Sequence, residues 1–210
     1  MAEEKEYYRL TKRAFDFLAP FYNIMTLPLI RARIQVVDFA NAGKGSTVLD
    51  VATGTGQQVF AFAKRGHNVI GVDLTESMLE IARKHNKGGL VKFEAADATR
   101  LRFGENSFDV SCISFALHDM PPKIREKILQ EMVRVTKPNG IMVIVDYDLP
   151  RNKISRALMY RRITLYKGEY YKQFIVSDLD SLLRKTGVEV MEGVSVLLGA
   201  GRILKGIKKV

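Results

Sequence analysis

Val48-Leu49-Asp50-Val51-Ala52-Thr53-Gly54-Thr55-Gly56 reads VLDVATGTG, an apolar run that carries one aspartate and then breaks into two glycines. Val and Leu suit a buried strand, and the glycines suit a turn where backbone must approach something closely. A bound ligand is the first expectation. Working outward, strand-like runs recur at Thr47–Val51, Asn68–Val72, Val91–Ala95, Phe108–Ile113 and Ile141–Tyr147, with helical stretches at 57–65, 75–85 and 123–136. Several of these strands are apolar on successive residues, as in Ile141-Met142-Val143-Ile144-Val145. That pattern belongs to strands covered on both faces, so a doubly wound α/β sheet is expected.

Two regions stand outside this rhythm. Before the first strand, AFDFLAPFYNIMTLPLIRARIQVVDF reads as helical pieces broken by Pro20 and Pro28, and forms a candidate cap over residues 1–45. After the fifth strand comes RNKISRALMYRRITLYK (151–167), with six basic residues and no acidic one, inside a second cap segment, 151–176. Its glycine-flanked GEYYKQF reads as a mobile loop, and a helix over Ser177–Thr186 with Ser177 as its N-cap follows. Val188–Val190 and the final apolar-basic run supply two further strands in 177–210. The whole is expected to be one domain, with residues 46–147 as its ligand-binding core.

The net charge is +10, and residues 151–210 hold 13 Lys/Arg against 5 Asp/Glu. A basic excess confined to one end fits a solvated helix face or a surface that meets phosphate or anionic lipid. No apolar segment reaches the length of a membrane span, and the first residues, MAEEKEYYRL, lack a signal-peptide core, so a cytoplasmic location with peripheral membrane contact is expected. The lone cysteine, Cys112, excludes an internal disulfide or a thiolate metal cage. It reads as a small core residue, and no metal is expected.

In open α/β sheets ligands sit at the carboxyl ends of the strands, where strand order reverses. Gly54 and Gly56 open that site. Asp73 ends the second strand seventeen positions beyond Gly56, where a carboxylate can accept from both hydroxyls of a ribose. A dinucleotide would call for a third glycine at Val59. Instead there are acids at Asp50 and at Asp97, in Glu94-Ala95-Ala96-Asp97-Ala98. Carboxylates near three successive strand ends suit an ammonium, a ribose and an adenine amine better than two phosphates. That set describes S-adenosylmethionine.

The motifs resemble those of class I S-adenosylmethionine-dependent methyltransferases: VLDVATGTG, GVDLTESMLEIAR, EAADATRLRFGENSFDVSCISFALHDM and KPNGIMVIVDY, in order. FDFLAPFYNIM further resembles the quinone-biosynthesis C-methyltransferase branch. The resemblance implies a sheet of order 3-2-1-4-5-7-6 with the seventh strand antiparallel. It implies that Ala52, Gly54 and Gly56 hold the methionine end of the cofactor, with Asp50 supporting that loop or its ammonium. Asp73 would take the ribose, Leu74 and Met78 would flank the adenine, and Asp97 with Ala98 would meet the adenine amine and ring. Ser114 and Phe115 would line the cofactor near its sulfur, and Tyr22 could close over it. His118, in the loop after the fourth strand, is the candidate base, or else a cap for the helix at Pro121–Pro122. Tyr147, Tyr170 and Tyr171 wall an acceptor pocket or pack the cap.

A small or amphipathic acceptor, such as a quinone precursor or a phospholipid, fits the Met-rich cap and the basic stretch. An RNA acceptor fits a pI near 9.7, but no Asn/Asp-Pro-Pro-aromatic motif follows the fourth strand. A non-catalytic S-adenosylmethionine-binding protein and, more distantly, an NAD-dependent oxidoreductase complete the alternatives.

Overall fold

The computed structural model describes residues 2–150, 152–166 and 168–209. Helix α1 (Ala2–Met25) is followed by a short 3-10 turn (Leu27–Leu29) and α2 (Ile30–Ala40). Then come β1 (Thr47–Val51), α3 (Gln57–Ala63), β2 (Asn68–Asp73), α4 (Glu76–His85), β3 (Val91–Ala95), β4 (Phe108–Ser114), α5 (Pro122–Val135) and β5 (Thr136–Tyr147). The chain ends with α6 (Lys153–Tyr166), α7 (Glu169–Val176), α8 (Leu179–Lys185), β6 (Val188–Val196) and β7 (Gly201–Lys208). One seven-stranded sheet runs β3-β2-β1-β4-β5-β7-β6, and β7 pairs antiparallel with both neighbours. This is the expected topology.

Successive side chains of a strand point to opposite faces, and here the two faces have separate cores. Leu49, Ile113, Met142 and Ile144 pack with Ile128, Leu129 and Met132 of α5 on one side. Val48, Cys112, Val143 and Val145 pack with Val36 and Val37 of α2 and Val59 and Phe62 of α3 on the other. The same alternation decides where the strand aspartates go. Asp50 falls on the α2–α3 face, and Asp146 falls on the α5 face.

Four local expectations give way to the structure. Pro20 lies inside α1 and does not break it. Both Pro20 and Asp16, whose carbonyl loses its partner, are exposed, so water can replace the missing bond. β5 begins at Thr136, which pairs with Phe108 ahead of a register shift, so the turn-like Lys137-Pro138-Asn139-Gly140 is a bulge within the strand. GEYYKQF is no mobile loop: it forms most of α7, which buries Tyr171, Phe174 and Ile175. The N-cap of α8 is Asp178, which accepts from the Ser181 N–H at 3.0 Å, because the Ser177 hydroxyl donates back to the Phe174 carbonyl. Arg151 and Lys167 of the basic stretch lie outside the described residues.

Gly71, in mid-β2, stands beneath the β1 turn, and a Cβ built there lies 2.9 Å from the Thr53 side chain. Gly71→Ala should therefore destabilise the fold by about 1–3 kcal/mol, read as a lower urea midpoint at unchanged slope.

Candidate cofactor and acceptor site

A cavity of about 630 Å³ opens at the carboxyl ends of β1, β2, β3, β4 and β5, roofed by the inner stripe of α1. Its floor includes Ala52, Gly54, Asp73, Leu74, Met78, Asp97, Ala98 and Phe115, and Tyr22 enters from α1. Thus nine of the twelve cofactor candidates face one space. Asp50, Gly56 and Ser114 do not line it. Gly56 takes φ +82 to start α3, and a Cβ on it would crowd Phe60, Phe93 and Ala82, so it closes the packing behind the turn. The Ser114 hydroxyl donates to Gln58 Oε1 at 3.2 Å and braces α3.

Asp73 couples the first two strand tips. Its Oδ2 accepts from the Gly54 N–H at 2.8 Å, and its Oδ1 accepts from the Thr75 N–H at 2.9 Å. Burial pushes its pKa up, and these backbone bonds pull against that shift. Asp97 Oδ1 takes the Thr99 N–H at 2.9 Å, the Thr99 hydroxyl at 2.7 Å and the Tyr8 hydroxyl of α1 at 3.2 Å. Every one of these bonds falls on the same oxygen, and Asp97 lines the cavity.

Beneath the turn lies a buried polar nest. Both Asp50 oxygens, Thr53 Oγ1 and Arg33 Nε are enclosed without a hydrogen bond of good geometry. Burial raises Asp50 to about 7, and Thr53, Arg33 and Cys112 offset this only in part. Arg33 of α2 donates through Nη1 to Gln57 Oε1, and Asn23 of α1 accepts from the Thr55 hydroxyl at 2.5 Å and from Gln57 Nε2 at 2.8 Å. The cap is thereby pinned to the glycine turn. Asn23 belongs to the FDFLAPFYNIM stretch, whereas Arg33 carries no motif signature and only its position on a helix packed over the turn brings it in. An unsatisfied buried polar atom costs about 1–3 kcal/mol, so this nest is a local strain held beneath the glycine turn. The cavity wall next to it, at Ala52 and Gly54, fits the methionine end of S-adenosylmethionine.

His118 is buried at the far end of the cavity. Its Nδ1 meets Asp146 Oδ1 at 2.7 Å, its Nε2 meets Asp119 Oδ2 at 3.2 Å, and its backbone N–H donates to Asp146 Oδ2 at 3.2 Å. Tyr147 and Tyr171 pack edge-on to the ring at 4.8 and 4.9 Å. Burial alone would push this imidazole down, but Asp146 and Asp119 outweigh it and hold it near 9. His118 is therefore an imidazolium at neutral pH, not the near-neutral base expected from its loop, and it does not cap α5. Tyr147 lines the cavity, whereas Tyr170 packs edge-on against Tyr7 of α1 at 6.1 Å. Cys112 is fully buried, and its thiol is pushed far up by burial.

Residues 48–140 match the family model described as a methyltransferase domain. Over this stretch the chain is similar to methyltransferases of quinone biosynthesis. It is similar to the demethylmenaquinone methyltransferase of Paenarthrobacter aurescens, at 38% identity over 141 residues, 65% of this chain and 54% of that enzyme. It is also similar to the ubiquinone/menaquinone biosynthesis C-methyltransferase UbiE of Geobacter sulfurreducens, at 29% identity over 188 residues, 80% of this chain and 73% of that one. Across the first of these relatives, the matches span about half of the relative's length. Among solved structures, the cyclase SpnF shares the fold with a TM-score of 0.76 at 18% identity, covering 95% of each chain. Since the same fold serves a cyclase, fold alone does not name the reaction of this chain.

Two titrations follow from these environments. Asp50 is raised above its ordinary 3.8, so the folded state holds its proton longer, and stability should fall as pH rises from about 4 to 7 by at most about 4 kcal/mol. His118 is raised above 6.5, so its contribution is full below that value and is lost as pH climbs through 9. Comparing urea unfolding across pH, Asp50→Asn should flatten the first window and His118→Gln the second, each against the wild-type curve.

Proposed function

We propose that this chain transfers a methyl group from S-adenosylmethionine to a small amphipathic acceptor of quinone-precursor type. The observation that carries the reading is the continuity of one cavity, from the Asp73 and Asp97 carboxylates at one end to an apolar chamber of Met25, Pro28, Leu29, Phe115, Tyr147 and Leu197 at the other. A ribose with an adenine suits the first end, and an aromatic ring with an apolar tail suits the second. The names of the curated relatives, which are quinone-biosynthesis methyltransferases, support the same acceptor class.

In this reading Asp73 accepts from the ribose hydroxyls, Asp97 Oδ2 accepts from the adenine amine, and Leu74 and Met78 flank the ring. Ala52 and Gly54 hold the methionine end, Asp50 and Arg33 support that turn from beneath, and Tyr22 closes the roof. When bound, the cofactor supplies a methyl group already activated on a sulfonium. The remaining task for the chain is orientation in a site that excludes water, which can contribute about 7–11 kcal/mol. Protonated His118 cannot take a proton from the acceptor. That role falls to Asp119, which lines the cavity and whose Oδ2 is steadied by His118 Nε2 at 3.2 Å. As the acceptor gains its methyl, the Asp119 carboxylate receives the proton the acceptor gives up, and Asp146 behind His118 keeps the imidazolium in place.

The basic stretch 151–167 supplies peripheral contact with anionic membrane in this scheme, placing a cytoplasmic protein where an apolar acceptor resides. Among the described residues no helix is long and apolar enough to cross a membrane.

Calorimetry with S-adenosylhomocysteine and methyl transfer to a demethylated quinol test the assignment. Asp73→Ala should weaken product binding about tenfold or more. Asp119→Asn should lower kcat about 100-fold while leaving product affinity unchanged. Wild-type protein that registers no heat with S-adenosylhomocysteine would overturn the cofactor assignment, and unchanged kcat in Asp119→Asn would remove the base.

A further inference from the structure

Two segments distant in sequence line the cavity and also turn apolar side chains to solvent, and a third, α6, neighbours one of them across a second cleft. The inner stripe of α1 lines the cavity through Thr11, Phe15, Leu18, Tyr22 and Met25. Its outer stripe is apolar as well: Leu10, Phe17, Phe21 and Ile24 follow helical spacing and are exposed, Phe17 to 76% and Ile24 to 71%. A surface helix ordinarily solvates one face with polar groups. Here the apolar outer face continues onto exposed Leu27, Ile30 and Ile34.

Leu197, in the β6–β7 turn, lines the same cavity, and its neighbour Leu198 is exposed without any cover, at 105%. Both sit in the left-handed region, at φ +53 and +55. A bulky residue there costs energy, and while Leu197 packs against the α2–α3 core, Leu198 presents a bare side chain. Leu198 also borders a second cleft with Asn152 and Ser155 at the start of α6. That helix exposes Ile154 and Leu158 beside Lys153, Arg156 and Arg161.

We infer that this rim, the outer face of α1 through Leu27 together with Leu198 and the exposed face of α6, is a docking surface that inserts into an anionic lipid bilayer. The inference deepens the proposed reading by naming the partner surface of that site, and it rests on that reading for the acceptor's route. Charge selects the occupant. Lys12, Arg13 and Arg31 are exposed along the helical cap, α6 adds its cations, and the nearby Asp16 is engaged by the Ser77 hydroxyl at 2.6 Å. A second copy of a chain carrying +10 would bring like charges together, whereas anionic headgroups attract them. Apolar helical faces flanked by cations settle at the headgroup–acyl boundary. Met25 and Pro28 both line the cavity and are exposed, so an acceptor in the acyl layer reaches the chamber without crossing water.

Flotation of the full chain with phosphatidylcholine vesicles, with and without phosphatidylglycerol, tests this alongside S-adenosylhomocysteine calorimetry and light scattering. Wild-type protein should float only with phosphatidylglycerol. The pair Phe21→Ser with Ile24→Ser should weaken vesicle partitioning about tenfold or more. Leu198→Ser should weaken it by a smaller factor, and both variants should bind S-adenosylhomocysteine as wild type does. Arg156→Glu should lose binding mainly at low salt, because only the charge contribution is screened. Failure of wild-type protein to float while it binds S-adenosylhomocysteine overturns the docking surface and leaves the methyltransferase reading standing. Unchanged flotation of the apolar pair overturns it too, as does a dimer that the pair converts to monomer with no effect on vesicles. Flotation that depends on the apolar pair in a protein that binds no S-adenosylhomocysteine supports the surface and sinks the proposed function instead.

Discussion

The bond from the Gly54 N–H to Asp73 Oδ2, 2.8 Å long, is the contact on which the site depends. It joins the turn after β1 to the tip of β2 and so fixes how far apart the two ends of a nucleoside ligand can lie. Parallel pairing places Asp50 opposite Gly71 and Val51 opposite Val72, which brings Asp73 level with the turn. Gly71 leaves room for Thr53 to fold over β2. The strain of the site gathers at the strand tips, where Ala52 and Phe115 both hold left-handed backbone at φ +55 and +52. Non-glycine residues in that conformation persist where the surroundings over-determine them, and functional sites are where they cluster.

Around this joint the protein separates two electrostatic tasks by the pleat of the sheet. On the α2–α3 face Asp50 and Arg33 are buried with polar atoms left unpaired, and burial raises Asp50 to about 7. On the α5 face Asp146, His118 and Asp119 form a chain in which every ring nitrogen is engaged. One nest is left unsatisfied, and the other is satisfied and holds a proton. Arg125, lowered to about 10 mainly by its burial, ties α5 to this second nest by donating to the Leu117 and Tyr170 carbonyls at 2.8 and 2.5 Å. α1 roofs both and is apolar on two sides, one facing ligand and one facing outward.

Much of the core was legible because each signal was local. Continuous apolar strands, the glycine turn and Asp73 seventeen residues beyond Gly56 are properties of short stretches, and they specify a doubly wound sheet with its ligand crevice. Element bounds went astray where local signals mislead. Pro20 reads as a breaker, yet it sits on an exposed helix face where water replaces the lost bond. The Lys137–Gly140 turn signature lies within a bulged strand, and the glycine of GEYYKQF opens a helix.

By itself the sequence determined the sheet, the likeness to S-adenosylmethionine-dependent methyltransferases and the acids at the strand ends, since these rest on spacing along the chain. Tertiary structure alone decided which acids are free. Asp50 is unpaired because alternation buries it facing Arg33, and His118 is charged because β5 sets Asp146 2.7 Å from its ring. Arg33, Asn23 and Asp119 enter the site through packing between elements far apart in the chain. A protonation state depends on burial and on neighbours in space, and neither is a property of a residue's place in the sequence.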